Sequence, residues 1–165
     1  MKVLLVNAAI WAFLHISISF FCLKLNERTI FKIGSNLKIS LWEKESGFYQ
    51  MIGIKKWKDR LPDAADWIRG FPRKSFSQYR KGELLNGFYC ELLRAEISHW
   101  LQMLPFPLFF LFNDFNNFIL NMAYAIFFNL PFILIQRFNR TRVEKLFLNK
   151  ISRYSRDQKK LDQPM

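Results

Sequence analysis

The chain has 165 residues, of which 51% are hydrophobic and 18% aromatic, while Lys and Arg outnumber Asp and Glu by 25 to 13. A membrane protein with cationic aqueous segments accounts for this combination more simply than an ordinary soluble domain does. Because His15 and His99 are the only histidines, a multi-histidine metal site within one chain is excluded.

The first apolar run covers residues 3–23 and is flanked by Lys2 and Lys24. At about 1.5 Å per residue its length is roughly 30 Å, the thickness of a hydrocarbon core. A cleaved signal peptide is the alternative, but the run is too long for one and no small-x-small cleavage site follows it. We therefore predict an uncleaved transmembrane anchor over residues 1–23. We expect His15, inside it, to bond a neighbouring helix as a neutral side chain.

A long basic segment, residues 24–96, follows the anchor, and we predict that it is cytoplasmic and amphipathic. Aromatic residues alternate in it with lysines and arginines: Trp42, Phe48, Tyr49, Trp57, Trp67, Phe71, Phe76 and Tyr79. Rings and cations together suit the headgroup layer, so we expect an interfacial segment rather than a hydrophobic core. Single-stranded nucleic acid is bound by similar patterns, but tethering to a bilayer makes that reading the weaker one.

Two more apolar runs, 97–112 and 118–135, form a predicted transmembrane hairpin over residues 97–136. Pro105 and Pro107 interrupt the first run, which predicts a kink or break in its helix. The run either spans with distortion or dips into the membrane and returns. The link between the two runs, residues 113–117, contains no basic residue and is a plausible turn on the outer side.

The basic residues set the predicted orientation. There are 15 Lys and Arg residues from Lys24 to Glu96, and nine more after Ile135. Positively charged flanks stay in the cytoplasm, so three crossings place the N-terminus outside and the basic tail, residues 137–165, inside. The sequence thus predicts a multi-pass protein of the cell membrane.

Glu96 and His99 are the strongest catalytic candidates, because ionisable side chains at a membrane boundary are costly and often functional. They are three residues apart and share one face of a helix. A histidine can take a proton from a hydroxyl, and a carboxylate can orient its ring, as acyl transfer onto an alcohol or sugar requires. The alternative is a boundary helix whose polar residues pair with Arg94 or with headgroups. Spacing alone leaves these two readings equal.

A second polar group lies on the third apolar run and its basic flank. Asn129 and Gln136 are seven residues apart, which places them nearly on one helix face. Arg137, Asn139 and Arg140 follow at the predicted cytoplasmic boundary. These side chains could contact a substrate or the Glu96 face, but from the residues alone ordinary helix–helix contacts with a basic flank explain them better.

Several familiar active-site motifs are missing from the chain. It has no His-x-x-x-x-Asp, which excludes the motif of the glycerol-phosphate acyltransferases. It also has no phosphate-binding glycine loop and no Gly-x-Ser-x-Gly elbow. We predict neither a metal nor a cofactor.

Four stretches of the C-terminal half resemble the glycosyl-4,4'-diaponeurosporenoate acyltransferase family. They are Arg94-Ala-Glu96-Ile-Ser-His99-Trp100, Leu104-Pro105, Ala125 through Asn129-Leu-Pro131, and Gln136-Arg137-Phe-Asn139-Arg140-Thr-Arg142. The likeness covers about residues 91–146, and Trp57-Lys58 fits a tryptophan–lysine pair of the family's middle segment. The resemblance implies transfer of a fatty acyl group to the C6 hydroxyl of the glucose on a carotenoid, the last step of staphyloxanthin biosynthesis.

Together these features predict an all-α membrane protein of about three transmembrane helices that acylates a sugar hydroxyl of a glycosylated carotenoid or similar glycolipid. His99 would be the base and Glu96 would orient it, while an acyl thioester would be the donor. The predicted substrate-binding residues are Arg94, Trp100, Asn129, Gln136, Arg137, Asn139, Arg140, Trp57 and Lys58. The alternative is a non-enzymatic scaffold or accessory subunit of a lipid-modifying complex.

Overall fold

A computed structural model describes residues 2–45, 47–61 and 84–161, the stretch 150–161 by its backbone alone. Helices and turns make up these residues and no strand occurs among them, so the all-α prediction is confirmed. Four of the predicted interfacial aromatic residues, Trp67, Phe71, Phe76 and Tyr79, lie outside the described residues.

The elements follow one another along the chain with short links. They are α1 (Lys2–Lys24), α2 (Glu27–Gly34), α3 (Leu41–Glu45), α4 (Phe48–Met51), α5 (Ile54–Trp57), the 3-10 turn η1 (Lys58–Arg60), α6 (Leu84–Met103), the 3-10 segment η2 (Phe106–Leu111) and α7 (Phe115–Leu161).

Two of the described helices are long and apolar enough to cross a membrane: α1, and the Phe115–Asn149 part of α7. Only 11% of the apolar window of α1 and 22% of that of α7 are buried inside the protein. Large side chains such as Leu5 and Phe127 are 65% and 76% exposed. Apolar surface on this scale needs a covering phase or partner, because soluble monomers rarely expose so much.

The third apolar run, 97–112, is broken where the sequence predicts a break. Helix α6 ends at Met103, and Pro105 immediately precedes η2. The predicted turn at 113–117 is shorter than expected, since α7 begins at Phe115. Asp114 ends the link by accepting the backbone N–H of Asn117 at 2.8 Å, as a helix N-cap does.

Helix α1 runs antiparallel to α6 and η2 over their whole shared length. At one end the Asn7 amide donates to Asn113 Oδ1 at 2.8 Å, and at the other Arg94 Nη1 donates to the carbonyl oxygen of Cys22 at 2.7 Å. Trp11 packs against Phe109 of η2 between these ends. The segment from Arg94 to Asn113 is therefore as tall as α1, although it is not one continuous helix.

The described part of the middle segment packs onto the helix bundle, which differs from the predicted surface layer without a core. Ile30 of α2 is buried with Leu93 of α6, while Tyr49 and Ile54 are buried against Phe138 of α7. Gly47 and Gly53 allow the tight turns before α4 and α5, because both have positive φ, 68° and 62°. Exposed apolar side chains remain on its outer side: Leu41, Trp42 and Met51.

Candidate active site

The centre of the candidate site is a hydrogen bond between α6 and α7. His99 Nδ1 lies 3.0 Å from Oδ1 of Asn129, which is fully buried. Asn129 also donates from Nδ2 to the carbonyl oxygen of Ala125, one helical turn earlier, at 2.9 Å. The ring of His99 stacks on Phe132 with 4.7 Å between centroids and 9° between planes. Packing and hydrogen bonding together hold the imidazole in one orientation.

These contacts select one tautomer of His99. The Ala125 carbonyl can only accept, so the amide group of Asn129 must face it and the amide oxygen must face the imidazole. An amide oxygen beside Nδ1 requires a proton on Nδ1. The lone pair of the neutral ring is then on Nε2, which is the atom able to take a proton from a substrate hydroxyl.

Glu96 occupies a different environment from the one the sequence suggested. Its side chain is fully buried, and its two oxygens accept from two arginines of α7. Arg137 Nη1 donates to Oε1 at 2.7 Å, and Arg140 Nη1 donates to Oε2. Shared helix face notwithstanding, the bond from His99 Nδ1 goes to Asn129, so Asn129 is the residue placed to orient the ring.

Six charged residues and one tyrosine form a closed circuit around Glu96, which we call the charge ring: Glu43, Lys44, Tyr89, Glu96, Arg137, Arg140 and Glu144. Arg137 binds Glu43 through two nitrogens, at 2.8 and 2.6 Å. Arg140 donates to the Tyr89 hydroxyl at 3.2 Å, and that hydroxyl donates to Glu144 at 3.0 Å. Lys44 closes the circuit on Glu144 at 2.6 Å. Three carboxylates balance three cations, which is how buried charge is tolerated.

The charge ring also perturbs its neighbours on α3 and α4. Burial would raise the pKa of Glu43, but hydrogen bonds from Arg137, Ser40 and Tyr49 lower that pKa to about 2. Burial and the adjacent carboxylate of Glu43 raise the pKa of the Tyr49 hydroxyl. Glu43 therefore stays ionised and Tyr49 stays protonated over the whole physiological range.

Arg94 has a structural place at the end of α1. Its Nη1 donates to the carbonyl oxygens of Cys22 and Leu25 at 2.7 and 2.6 Å, and its Nε pairs with Glu91 at 3.1 Å. A cation on the last carbonyls of a helix satisfies them and complements the helix dipole. The predicted substrate contact at Arg94 is thus replaced here by a clamp that joins α1 to α6.

The other predicted binding residues divide between the site and its surroundings. Gln136 lies beside Arg137, and its Oε1 is buried without a hydrogen-bond partner among the described residues. Asn139 is half-buried next to Arg140, and Trp100, beside His99, is 39% exposed. Trp57 is outside this region, since it donates to the Ile52 carbonyl and packs near Ile54, while Lys58 pairs with Asp59.

Sequence reasoning missed a second set of polar contacts, between α1 and the hairpin. Trp11 Nε1 donates to Asn121 Oδ1 at 2.7 Å, and Asn7 pairs with Asn113. His15 lies 2.9 Å from Gln102 Oε1, which confirms the expectation that it bonds a neighbouring helix. Their only signal in the sequence is the presence of amides inside apolar runs, which does not say which amides meet.

The arrangement suits transfer of a group onto a hydroxyl. It offers an oriented base at His99, an exposed aromatic ring at Trp100 and a spare buried acceptor at Gln136. The charge ring lies just beyond it along α7 and is electrically balanced, so it fixes the two helices rather than presenting an open anion site.

Comparison with known proteins gives one consistent result. The sequence model of the glycosyl-4,4'-diaponeurosporenoate acyltransferase family matches residues 26–149. A protein of that name from Staphylococcus haemolyticus (strain JCSC1435) is 32% identical over 158 residues, covering 94% of this chain and 91% of the relative. Another from Staphylococcus aureus (strain bovine RF122 / ET3-1) is 28% identical over 108 residues, 64% of each chain. No solved structure matches the chain.

Proposed function

This chain belongs to the glycosyl-4,4'-diaponeurosporenoate acyltransferase family, and we propose that it transfers a fatty acyl group to a sugar hydroxyl of a glycosylated carotenoid or similar glycolipid. The match extends the resemblance beyond residues 91–146 to most of the middle segment. The relatives' names supply the acyltransferase class and the carotenoid pathway. Membrane location, donor and residue roles are the proposed parts.

The observation that carries the catalytic proposal is the bond between His99 and Asn129. It leaves Nε2 of His99 as the proton acceptor. A base of near-neutral pKa is suited to activating a hydroxyl at physiological pH. Asn129 acts as a positioning residue through His99, a role the sequence assigned to Glu96.

The reaction then proceeds by transfer of one proton and exchange of one bond. His99 Nε2 takes the proton of the sugar hydroxyl as the oxygen attacks the thioester carbonyl and a C–O bond forms. The C–S bond breaks, and the departing sulfur takes the proton back from His99. Neither a metal nor a redox step is needed for this sequence of events.

Gln136 and Trp100 are the proposed contacts for the sugar. The unpartnered Gln136 Oε1 can accept a hydrogen bond from a sugar hydroxyl, which removes the cost of leaving a buried acceptor unpaired. Trp100 offers an exposed aromatic face next to His99. Asn139 is retained as a candidate contact, whereas Arg94, Arg137 and Arg140 are assigned to holding helices together.

We further propose three crossings of the cell membrane, with the N-terminus outside and the basic tail inside. Support comes from the two apolar helices and from the equal height of α1 and the segment from Arg94 to Asn113. The proposed units are the anchor 1–23, the cytoplasmic and interfacial segment 24–96, the hairpin 97–136 and the basic tail 137–165. The reactive residues then lie near the cytoplasmic edge, where a cytosolic thioester can reach them.

The test compares His99→Ala, Asn129→Ala and Asn121→Ala in membranes holding equal amounts of each protein. Removing the base should lower acylation on the order of 10²- to 10⁴-fold. Asn129→Ala should lower it less but clearly, whereas Asn121→Ala removes a buried amide of the same helix that bonds Trp11 and should leave turnover near the parent level. Mass spectrometry of the acylated product and its unacylated precursor measures each.

Unchanged product in His99→Ala would contradict the catalytic proposal and favour the scaffold or accessory-subunit alternative. Equal losses in Asn129→Ala and Asn121→Ala would show that buried amides matter only for folding, because the two variants differ in their contact with His99.

A further inference from the structure

A cleft of about 200 Å³ opens beyond the charge ring, on the side of α7 that faces α3, α4 and α5. Four cations line it: Lys44, Lys55, Arg142 and Lys145. Gln50 and Thr141 add polar groups to its wall. None of these cleft residues belongs to the site around His99, and together they form a concave surface that favours an anion.

The charges of the cleft are not all used within the protein. Lys44 is paired with Glu144, and the one carboxylate that lines the cleft, Glu43, is bound by Arg137. Lys55 and Lys145 are exposed at its rim, one on α5 and one on α7. A phosphate held between them would meet cations from two elements, as phosphate sites commonly require.

The position of the cleft relative to the membrane argues against a lipid headgroup. Lys145 is eight residues beyond Arg137 on α7, or about 12 Å along the helix axis. The headgroup layer adds only about 5–8 Å to each side of the hydrocarbon core. If Arg137 marks the boundary, the far rim of the cleft lies in water beyond the lipid phosphates.

The distance from the cleft to the reactive histidine points to a particular ligand. Arg142 is 13 residues from Asn129, the partner of His99, which corresponds to about 20 Å along α7. An extended phosphopantetheine arm spans such a distance between its phosphate and its sulfur. A phosphate in the cleft would then allow the thioester to reach His99.

We propose that this cleft binds the phosphate end of a phosphopantetheine acyl thioester of the coenzyme A type. The inference rests on the proposed acyl transfer and adds the donor's binding site to it. Lys55 and Lys145 hold the phosphates, and the acyl-bearing arm runs along α7 toward the membrane. The cleft thereby selects a phosphorylated soluble donor over a free fatty acid.

Binding of coenzyme A itself tests this without turnover. The full chain is placed in phosphatidylcholine nanodiscs and titrated calorimetrically with coenzyme A, 4'-phosphopantetheine and pantetheine. Both phosphorylated compounds should bind and pantetheine should not. The double variant Lys55→Gln/Lys145→Gln should weaken coenzyme A binding at least about tenfold, since it removes two charge-assisted contacts.

A matched control is Lys32→Gln/Lys56→Gln, which removes two exposed lysines from α2 and α5 that do not line the cleft. Its affinity should stay within about twofold of the parent, because isolated surface charges contribute little. Equal weakening in both double variants, or no saturable binding by the parent, would overturn the proposal. Competition by phosphatidylglycerol that disappears in Lys55→Gln/Lys145→Gln would also overturn it, by assigning the cleft to lipid headgroups.

His99→Ala separates this inference from the proposed function. It should bind coenzyme A like the parent while losing acylation. Full acylation in His99→Ala would contradict the base assignment and leave the cleft result standing. Normal coenzyme A binding by Lys55→Gln/Lys145→Gln would refute the cleft and leave the base assignment standing.

Discussion

The outer and inner halves of the helix bundle solve the same problem with different chemistry. In the outer half, neutral groups join the helices: Asn7 with Asn113, Trp11 with Asn121 and His15 with Gln102. In the inner half, the charge ring joins α6 to α7 and to the middle segment. Neutral pairs cost less than ions where lipid surrounds the helices, whereas ions are tolerated where each has a partner and water is near.

The reactive pair lies where these two chemistries meet. His99 and Asn129 are the last neutral contact before Glu96 and Arg137 along their helices. The difference teaches that the ions need not touch substrate to matter, because they set the register of α6 against α7. Each prediction below weakens one half and leaves the other intact.

The largest effect is expected from Glu96→Gln. It leaves Arg140, 2% exposed, without the charge that balances it, and breaking a buried ion pair in this way costs about 3–5 kcal/mol. Thermal unfolding in detergent should show a much lower midpoint than for Asn121→Ala. If Glu96→Gln were the milder of the two, the inner half would not depend on its charges.

A smaller loss is expected from Trp11→Phe in the outer half. The ring packing on Phe109 is largely kept, but Asn121 Oδ1 loses its donor, which costs about 1–3 kcal/mol for a buried acceptor. A double-mutant cycle with Asn121→Leu measures the pair, because the double variant leaves no orphaned group. Additive losses in that cycle would mean that the bond adds nothing.

The pH dependence of stability should come from the inner half. The pKa of Glu43 is lowered from 4.5 to about 2, so its contribution is complete above pH 4.5 and is lost as the pH falls toward 2. The difference in unfolding free energy between the parent and Glu43→Gln should therefore shrink over that window. A difference independent of pH would show that the carboxylate charge of Glu43 is not what stabilises the fold.

The smallest effect is expected at Lys58, which pairs with Asp59 at the exposed end of the described middle segment. Lys58→Gln should change the unfolding free energy by less than about 1 kcal/mol, as for most surface ion pairs. Acylation should also be unchanged, since Lys58 is outside the site. A clear loss of activity would return Lys58 to the substrate contacts that the family resemblance implied.

The sequence alone was enough for the helical class, the break at Pro105 and the residues of the site, because apolar runs and proline act locally. It was not enough for the partners. Glu96 and His99 share a helix face, yet each bonds to a residue of α7 that is 30 or more positions away. Glu43 entered no prediction, since nothing near it in sequence shows that Arg137 would reach it. The packing of Ile30 and Ile54 was missed for the same reason.

The tautomer of His99 tests the central claim most directly. Nitrogen-15 chemical shifts of the two imidazoles, assigned with His15→Gln, report which ring nitrogen carries the proton. We predict a protonated Nδ1 and an unprotonated Nε2 for His99 in the neutral parent protein, and a mixture of both tautomers in Asn129→Ala. A parent protein in which His99 carries its proton on Nε2 would contradict the assignment of that nitrogen as the base.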